Sequence, residues 1–227
     1  MLGRDTDRVI INDWSVWEAR FSTFLASSMG AADAAHDGMH IRRVVTNARM
    51  LVEAENADLA VALPAAWLHD CVIVPKDSPE RKMASRLAAQ AAGDFLRSVT
   101  YPDVHISAIQ HAIEAHSFSA RIAPRTLEAQ IVQDADRLDA LGAIGIARTL
   151  MLGGAMDKPL YDADEPFPLT RTADDGENVL DHFFVKLLTL SDTMQTRAGR
   201  AEAERRTACM RQYLAQLAAE IGIATPP

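Results

Sequence analysis

A histidine and an aspartate stand side by side where the apolar run AAWL ends, at His69 and Asp70. Neighbouring residues on a helix point about 100° apart, so these side chains cannot share one face. At a helix end, however, both can approach one point from its two sides, and a metal ion is such a point. A lone histidine beside an apolar face is more often a satisfied core residue, so a metal site requires further ligands.

Two other residues have suitable chemistry for the same site. His40 opens a helical stretch after Gly38, and Asp136 lies in the otherwise apolar helical stretch around DADRLDALG. A buried carboxylate is costly unless it is paired or bound to a metal. For Asp136 we favour a metal as the partner.

The same stretch carries two more acids, Asp134 and Asp139. Buried acids of this kind need cationic partners. Ion pairing with Arg137 or Arg148 is a substantial alternative to metal binding for both of them. These two acids are therefore left out of the candidate ligand set.

Helical periodicity runs through almost the whole chain and would position these residues. After His40, apolar residues recur at helical spacing as far as Val52, which indicates an amphipathic helix. No sustained strand-like alternation occurs in the sequence. The predicted helices cover roughly residues 15–28, 38–56, 79–98, 103–115, 126–134, 137–151, 177–194 and 197–221. An all-α fold follows.

Pro64 interrupts this pattern shortly before the His-Asp pair. A helix that ended at His69 and began near residue 58 would carry Pro64 in its interior, where proline removes a hydrogen bond and clashes with the previous turn. We expect that helix to kink, or to begin near Leu63.

Composition excludes several classes of partner. The net charge is −8, with 31 acidic and 23 dispersed basic residues, so a nucleic-acid backbone would be repelled. Two cysteines are too few for a disulfide framework. The N-terminus lacks the apolar region of a signal peptide, and no run approaches the length of a membrane span. We expect a cytoplasmic monomer or homodimer with neither nucleic acid nor membrane as partner.

Several segments together resemble the HD-domain metal-dependent phosphohydrolases, in particular a branch of small bacterial single-domain members. His40, His69-Asp70 and Asp136 match the H…HD…D signature of that family. The similarity extends through AHDGMHIRRV, AAWLHD, IEAHSFSA, IVQDADRLDALGAIGIART and HFFVKLLTLSDTMQTRAGRAEAERR, which span most of residues 33–213. The combination is far more specific than any one of these segments.

The resemblance implies an all-α HD-domain helical bundle with a metal site between its core helices. It implies one domain over residues 1–227, with a core of about 33–152 and C-terminal helices of about 177–221 packed on it. Residues 153–178 are rich in Gly, Pro and Asp and predict a long irregular loop. Such a loop is either a solvated connection or a mobile segment near the pocket mouth.

The resemblance also implies one divalent cation held by His40, His69, Asp70 and Asp136. Two imidazoles and two carboxylates suit Mn²⁺, Fe²⁺, Co²⁺, Ni²⁺ or Mg²⁺, with positions left for water and substrate. Such an ion lowers the pKa of a water and neutralises charge on phosphoryl oxygens. The expected reaction is hydrolysis of a phosphoester or phosphoanhydride bond in a small phosphorylated molecule, with a nucleoside triphosphate as the leading substrate.

Catalytic groups are expected close to the His-Asp pair. Asp70 could bind the metal while orienting the water. Many relatives carry acids a few residues after the pair, where this chain has Ile73 and Val74, so the general-acid role of those acids does not transfer. The candidates for that role are Lys76 and Asp77 in the following loop, and His111 and His116 in the next helical region.

Four residues are candidates for binding the substrate. Lys76 could follow the phosphates from its loop, and His36 matches the pattern of the branch. Arg43 lies one turn after His40, and Lys186 lies in the apolar segment DHFFVKLL. The alternatives are a solvated arginine and a lysine that snorkels to the surface.

Other functions remain open at this point. Two-metal relatives use extra histidines between the His-Asp pair and the last aspartate, a role that His111 and His116 could fill, although we favour one metal. A di-iron oxygenase of the same fold would require both of them as ligands. A non-catalytic nucleotide-sensing HD module would typically show a damaged ligand set, whereas all four positions are intact here.

Overall fold

The computed structural model describes residues 13–28, 38–74, 78–117 and 120–224. All regular structure in these ranges is helical, which confirms the predicted all-α fold. The α-helices are α1 (Trp14–Ser28), α2 (Gly38–Glu55), α3 (Leu59–Leu68), α4 (Ala84–Ser98), α5 (Asp103–His116), α6 (Leu127–Leu138), α7 (Gly142–Ala155), α8 (Asp181–Val185) and α9 (Arg197–Glu220). Two 3₁₀ helices, Pro79–Met83 and Leu187–Thr193, precede α4 and α9. Within the described ranges no single helix is long and apolar enough to cross a membrane, and α6 and α7 meet that criterion only as a bent pair, by length and composition.

The chain divides into two compact units, residues 1–136 and 137–227. In the first unit α3 packs against α1, α2, α4 and α5. Every side chain of α3 from residue 61 to residue 68 is apolar and buried. A helix that is apolar on all sides belongs in a core, and its burial carries the following His69 into the interior. The predicted packing of the C-terminal helices on this core stays a prediction.

Pro64 lies inside α3, which runs unbroken from its N-cap Asp58. The expected start near Leu63 is therefore wrong. Proline has no N–H to donate to the carbonyl four residues earlier, that of Ala60. The hydroxyl of Tyr101 donates to this carbonyl at 2.6 Å. A side chain from outside the helix thus replaces the hydrogen bond that Pro64 removes.

We expect Tyr101→Phe to lower the free energy of unfolding by about 1–2 kcal/mol, because the Ala60 carbonyl loses its donor. The ring contact with Trp17 is kept, so packing is little changed. Urea denaturation measures the effect. In a Pro64→Ala background the helix supplies its own N–H, and the loss from Tyr101→Phe should shrink. Equal losses in both backgrounds would show that the hydroxyl does not compensate for the proline.

Other helix boundaries depart from the sequence prediction. α6 ends at Leu138, four residues beyond the predicted end, and so includes Asp136, which the sequence had placed in a helical stretch. α7 begins five residues later than expected, at Gly142, whose φ of +68° is a conformation that glycine adopts without strain. The long helix predicted over 177–194 is instead the short α8 followed by a 3₁₀ helix.

The segment between α7 and α8, in the second unit, is held by internal hydrogen bonds. The Glu165 carboxylate accepts from the backbone N–H groups of Thr170 and Arg171. The Arg171 guanidinium donates to both carboxylate oxygens of Asp181, at 2.5 and 2.6 Å. Phe167 is buried. The segment is irregular, as predicted, and mostly exposed or half-buried, but it is held together by these bonds. Its gating role stays a prediction.

Candidate metal centre

His69 follows the last residue of α3 and is completely buried. Its Nδ1 lies 2.8 Å from the carbonyl oxygen of Ala66. A carbonyl can only accept, so Nδ1 carries the proton and Nε2 presents its lone pair to the site. Burial lowers the pKa of His69 below its ordinary value, against the opposing effect of Asp70. His69 is thus neutral and in the form that binds a metal.

His40 on α2 and Asp136 on α6 face this lone pair. The Nε2 atom of His40 lies 3.4 Å from Nε2 of His69 and 3.4 Å from Oδ1 of Asp136. Nε2 of His69 lies 4.0 Å from the same Oδ1. Ligands about 2.1 Å from an octahedral ion lie about 3.0 Å apart when adjacent and about 4.2 Å apart when opposite. The three donors therefore have the spacing of a divalent-cation site, and their ligand atoms all lie within 4.8 Å of one another.

The two carboxylate oxygens of Asp70 face two different histidines. Oδ2 lies 3.6 Å from Nε2 of His69, and Oδ1 lies 3.6 Å from Nε2 of His116. His116 is the last residue of α5, and its Nδ1 donates to the carbonyl of Ile113 at 2.6 Å. His69, Asp70 and His116 form a second group that could hold a metal. The aspartate therefore lies between the candidate ligands and His116.

The protonation states suit a cation. Burial alone would raise the pKa of the Asp70 carboxyl, but its interactions with the facing imidazoles, first His69 and then His116, outweigh burial and hold that pKa well below its ordinary value. Burial would also raise the pKa of the Asp136 carboxyl, but the hydrogen bond with His40 outweighs burial and lowers that pKa. Burial opposes the charged form of His116, yet the facing Asp70 raises the pKa of this imidazole. Ionised carboxylates beside a neutral His69 are the states in which a divalent ion is bound.

Comparison with known proteins places this geometry in a family. The HD-domain family model matches residues 38–141, a range that contains every residue of the two groups. YpgQ of Bacillus subtilis (strain 168) is 34% identical over 203 residues, which are 88% of this chain and 91% of YpgQ. The chain belongs to the HD superfamily.

Solved HD structures agree with the fold. An HD-superfamily hydrolase from Bacillus thuringiensis is 33% identical with a TM-score of 0.72, covering 93% of this chain and 99% of its own. A structure of Bacillus subtilis YpgQ in complex with ADP is 31% identical with a TM-score of 0.66, covering 91% of this chain and 95% of its own. The chain thus has the fold of an HD-superfamily hydrolase together with side chains that could hold a metal.

Within the described ranges, the other candidate site residues lie outside the group formed by His40, His69, Asp70, His116 and Asp136. His111 lies on α5 five residues before His116, about 140° around the helix. Its Nε2 accepts a hydrogen bond from the backbone N–H of Arg125 at 3.0 Å, and it belongs to neither metal group. Arg43 is half-buried on α2, and Lys186 is exposed in the second unit. The remaining candidates, His36, Lys76 and Asp77, lie outside the described residues.

One of the two acids for which ion pairing with an arginine was considered, Asp139, has such a partner. Arg148 donates to the Asp139 carboxylate at 2.5 Å. This ion pair confirms that Asp139 has a cationic partner other than a metal. Ion pairing is therefore the right interpretation for Asp139, and Asp134 is completely buried.

Two residues next to the HD site were missed by the sequence analysis. Asn47 on α2 and Gln133 on α6 are buried amides. Asn47 follows His40 by seven residues, or two helical turns, and so shares its face. This spacing could have indicated that Asn47 lies near the site, but one amide on an otherwise apolar helix face is also common in a core without any site.

Proposed function

We propose that this chain is a divalent-metal-dependent phosphohydrolase that cleaves a phosphoester or phosphoanhydride bond of a nucleotide, with a nucleoside triphosphate as the leading substrate. The observation that carries the proposal is the convergence of His40, His69 and Asp136, with ligand atoms within 4.8 Å of one another. The nucleotide part is supported by the ADP complex of YpgQ.

The donor set fits a Lewis-acidic cation held by His40, His69, Asp70 and Asp136. When bound, the ion would lower the pKa of a water and neutralise charge on phosphoryl oxygens. The bond from His69 Nδ1 to the Ala66 carbonyl holds the imidazole ring in the orientation that directs Nε2 at the site. The carboxylate of Asp70 can accept a hydrogen bond from the attacking water and so orient it.

His116 is the described residue that fits the proton-donor role. Its pKa is raised by Asp70, so Nε2 can hold a proton 3.6 Å from the carboxylate Oδ1. That proton is available to a leaving-group oxygen bound on the same side. Lys76, Asp77 and His111 remain proposals for the same role.

Substrate binding must overcome the net charge of −8. A triphosphate is repelled at long range, so attraction must come from the cation and a few local positive groups. We propose Lys76, Arg43 and His36 for this task, with Lys76 as the strongest candidate because it follows the His-Asp pair by six residues in the sequence. The phosphate-binding role of Lys186 stays a prediction from the sequence. One charge-assisted hydrogen bond to phosphate contributes about 1.5–3 kcal/mol, or roughly ten- to hundredfold in kcat/KM.

Removal and return of the metal test the function. Chelator-treated protein is expected to be inactive, and protein reconstituted with Mn²⁺, Mg²⁺, Co²⁺, Ni²⁺ or Fe²⁺ should hydrolyse at least one nucleoside triphosphate. Chromatography of the products identifies the bond cleaved, since phosphate, pyrophosphate and triphosphate separate.

Three outcomes of this screen would contradict the proposal. Nucleotide binding without product from any metal form would favour a sensing module. An oxygen-dependent product found only with iron would favour an oxygenase. Unchanged activity after complete metal removal would exclude a metal-dependent reaction.

A further inference from the structure

Asn47 connects α2 to the residue that precedes Asp136. The residue is 6% exposed, and Nδ2 donates to the carbonyl of Ala135 at 3.0 Å. His40 and Asn47 share one face of α2, because seven residues make two turns. The helix that carries one candidate ligand therefore also holds the peptide group next to another.

Gln133 makes the equivalent link between α6 and α5. Its residue is 4% exposed, and Nε2 donates to the carbonyl of Ala115 at 2.7 Å. Ala115 immediately precedes His116, and its carbonyl is among the last four of α5, which the donors of the helix do not reach. The two amides thus connect α2 to α6 and α6 to α5, each beside a residue of the site.

Geometry distinguishes these bonds from ordinary core packing. A buried amide must find a partner, and its NH₂ group bonds a carbonyl only in a narrow range of positions. Metal ligation demands distances correct to about 0.2 Å. A shift of the Ala135 peptide would move Asp136 away from His40, whose Nε2 lies 3.4 Å from Oδ1.

We propose that Asn47 and Gln133 are positioning residues that hold α6, and with it the ligand Asp136, at the correct distance from the ligands on α2 and α3. They act on the affinity for the metal more than on the stability of the fold. Gln133 Oε1 is buried and has no hydrogen-bond partner among the described residues. Replacing Gln133 by leucine removes this unsatisfied acceptor but leaves the buried Ala115 carbonyl without the amide donor, so some stability is lost and must be measured beside the metal affinity. The inference rests on the proposed metal-dependent function.

The test compares metal affinity with stability in Asn47→Ala and Gln133→Leu. Residues that orient ligands without touching the metal typically change its affinity by about ten- to hundredfold when replaced. We expect both variants to raise the Kd for Mn²⁺ by at least about tenfold, measured by calorimetric titration of the full chain. Thermal unfolding of the chelator-treated protein gives the stability of each variant without metal.

Gln110→Leu is the matched control. Gln110 Nε2 donates to the carbonyl of Ala89 at 3.1 Å, an amide-to-carbonyl bond between α5 and α4. Neither residue adjoins a candidate metal ligand or His116, and His111, which follows Gln110, belongs to neither metal group. This variant should bind Mn²⁺ with wild-type affinity, and Asn47→Ala and Gln133→Leu should lower the unfolding temperature no more than it does.

The outcomes separate this proposal from the proposed function. If the wild type binds Mn²⁺ and both variants bind it equally well, the positioning role is wrong and the function stands. The role is also wrong if affinity falls only in proportion to stability in all three variants. Failure of the wild type to bind any divalent cation would overturn both the function and the role.

Discussion

Asp70→Ala is expected to abolish hydrolysis, with a fall in kcat/KM on the order of 10³-fold, and to reduce metal occupancy. The variant removes a carboxylate whose two oxygens lie 3.6 Å from His69 and 3.6 Å from His116. One substitution thus removes a candidate ligand and the group that orients the water. The side chain of Asp70 is 30% exposed and fills no core position, so the helical fold should persist.

Three measurements decide this prediction. Metal content by mass spectrometry and kcat/KM should both fall, while the far-ultraviolet circular dichroism stays unchanged. Asp94→Ala is the matched control, because Asp94 is an exposed acid on α4 that pairs with Arg97. The control should keep wild-type activity. Wild-type metal content and activity in Asp70→Ala would exclude Asp70 from the site.

Arg171→Met is expected to lower the free energy of unfolding by about 3–5 kcal/mol, the largest stability effect that we predict. The Asp181 carboxylate is fully buried and accepts two hydrogen bonds from Arg171. A third bond comes from the backbone N–H of Asp174, at 2.7 Å. Methionine keeps most of the unbranched apolar stem of the arginine side chain but leaves a buried charge without its counter-ion. Urea denaturation measures the loss.

A double variant separates charge from packing. Replacing both partners, as in Arg171→Met with Asp181→Leu, removes the uncompensated charge, and buried ion pairs replaced in this way often lose little stability. We therefore expect the double variant to recover much of the loss. A loss as large as that of Arg171→Met alone would show that the stability comes from the packing of the arginine side chain and not from its charge.

The ion pair of Arg171 and Asp181 also predicts how stability depends on pH. Burial alone would raise the pKa of Asp181, but Arg171 outweighs it and lowers that pKa below its ordinary value. Stability from a lowered pKa is present above the unfolded pKa of about 3.9 and is lost as pH falls through the folded value. Without Arg171 the carboxyl pKa rises, so the variant should be least stable at neutral pH and approach the wild type in acid. A difference that does not change with pH would contradict the ion pair.

The sequence by itself determined the helical class and most of the candidate site. Apolar residues at helical spacing show which face of a segment must be buried, and that information is local. The apolar run before His69 had to enter the core, so His69 and Asp70, which follow it directly, had to lie at the edge of that core. The HD signature consists of residue types in a fixed order along the chain. It could therefore be recognised in the sequence, and its residues His40, His69, Asp70 and Asp136 lie close together in the structure.

Only the tertiary structure decided which groups bond across the packed helices. Asn47 reaches a carbonyl 88 residues away, and Tyr101 reaches one 41 residues away. His116 enters the site while His111 accepts from a backbone N–H, because the two residues lie about 140° apart around α5 and the packing of that helix turns only His116 to the site. Periodicity shows that a face is buried but contains no information on crossing angles or on the partner that each polar atom meets. Hydrogen bonds depend on shifts of tenths of an ångström, and such precision arises only when the helices are packed together.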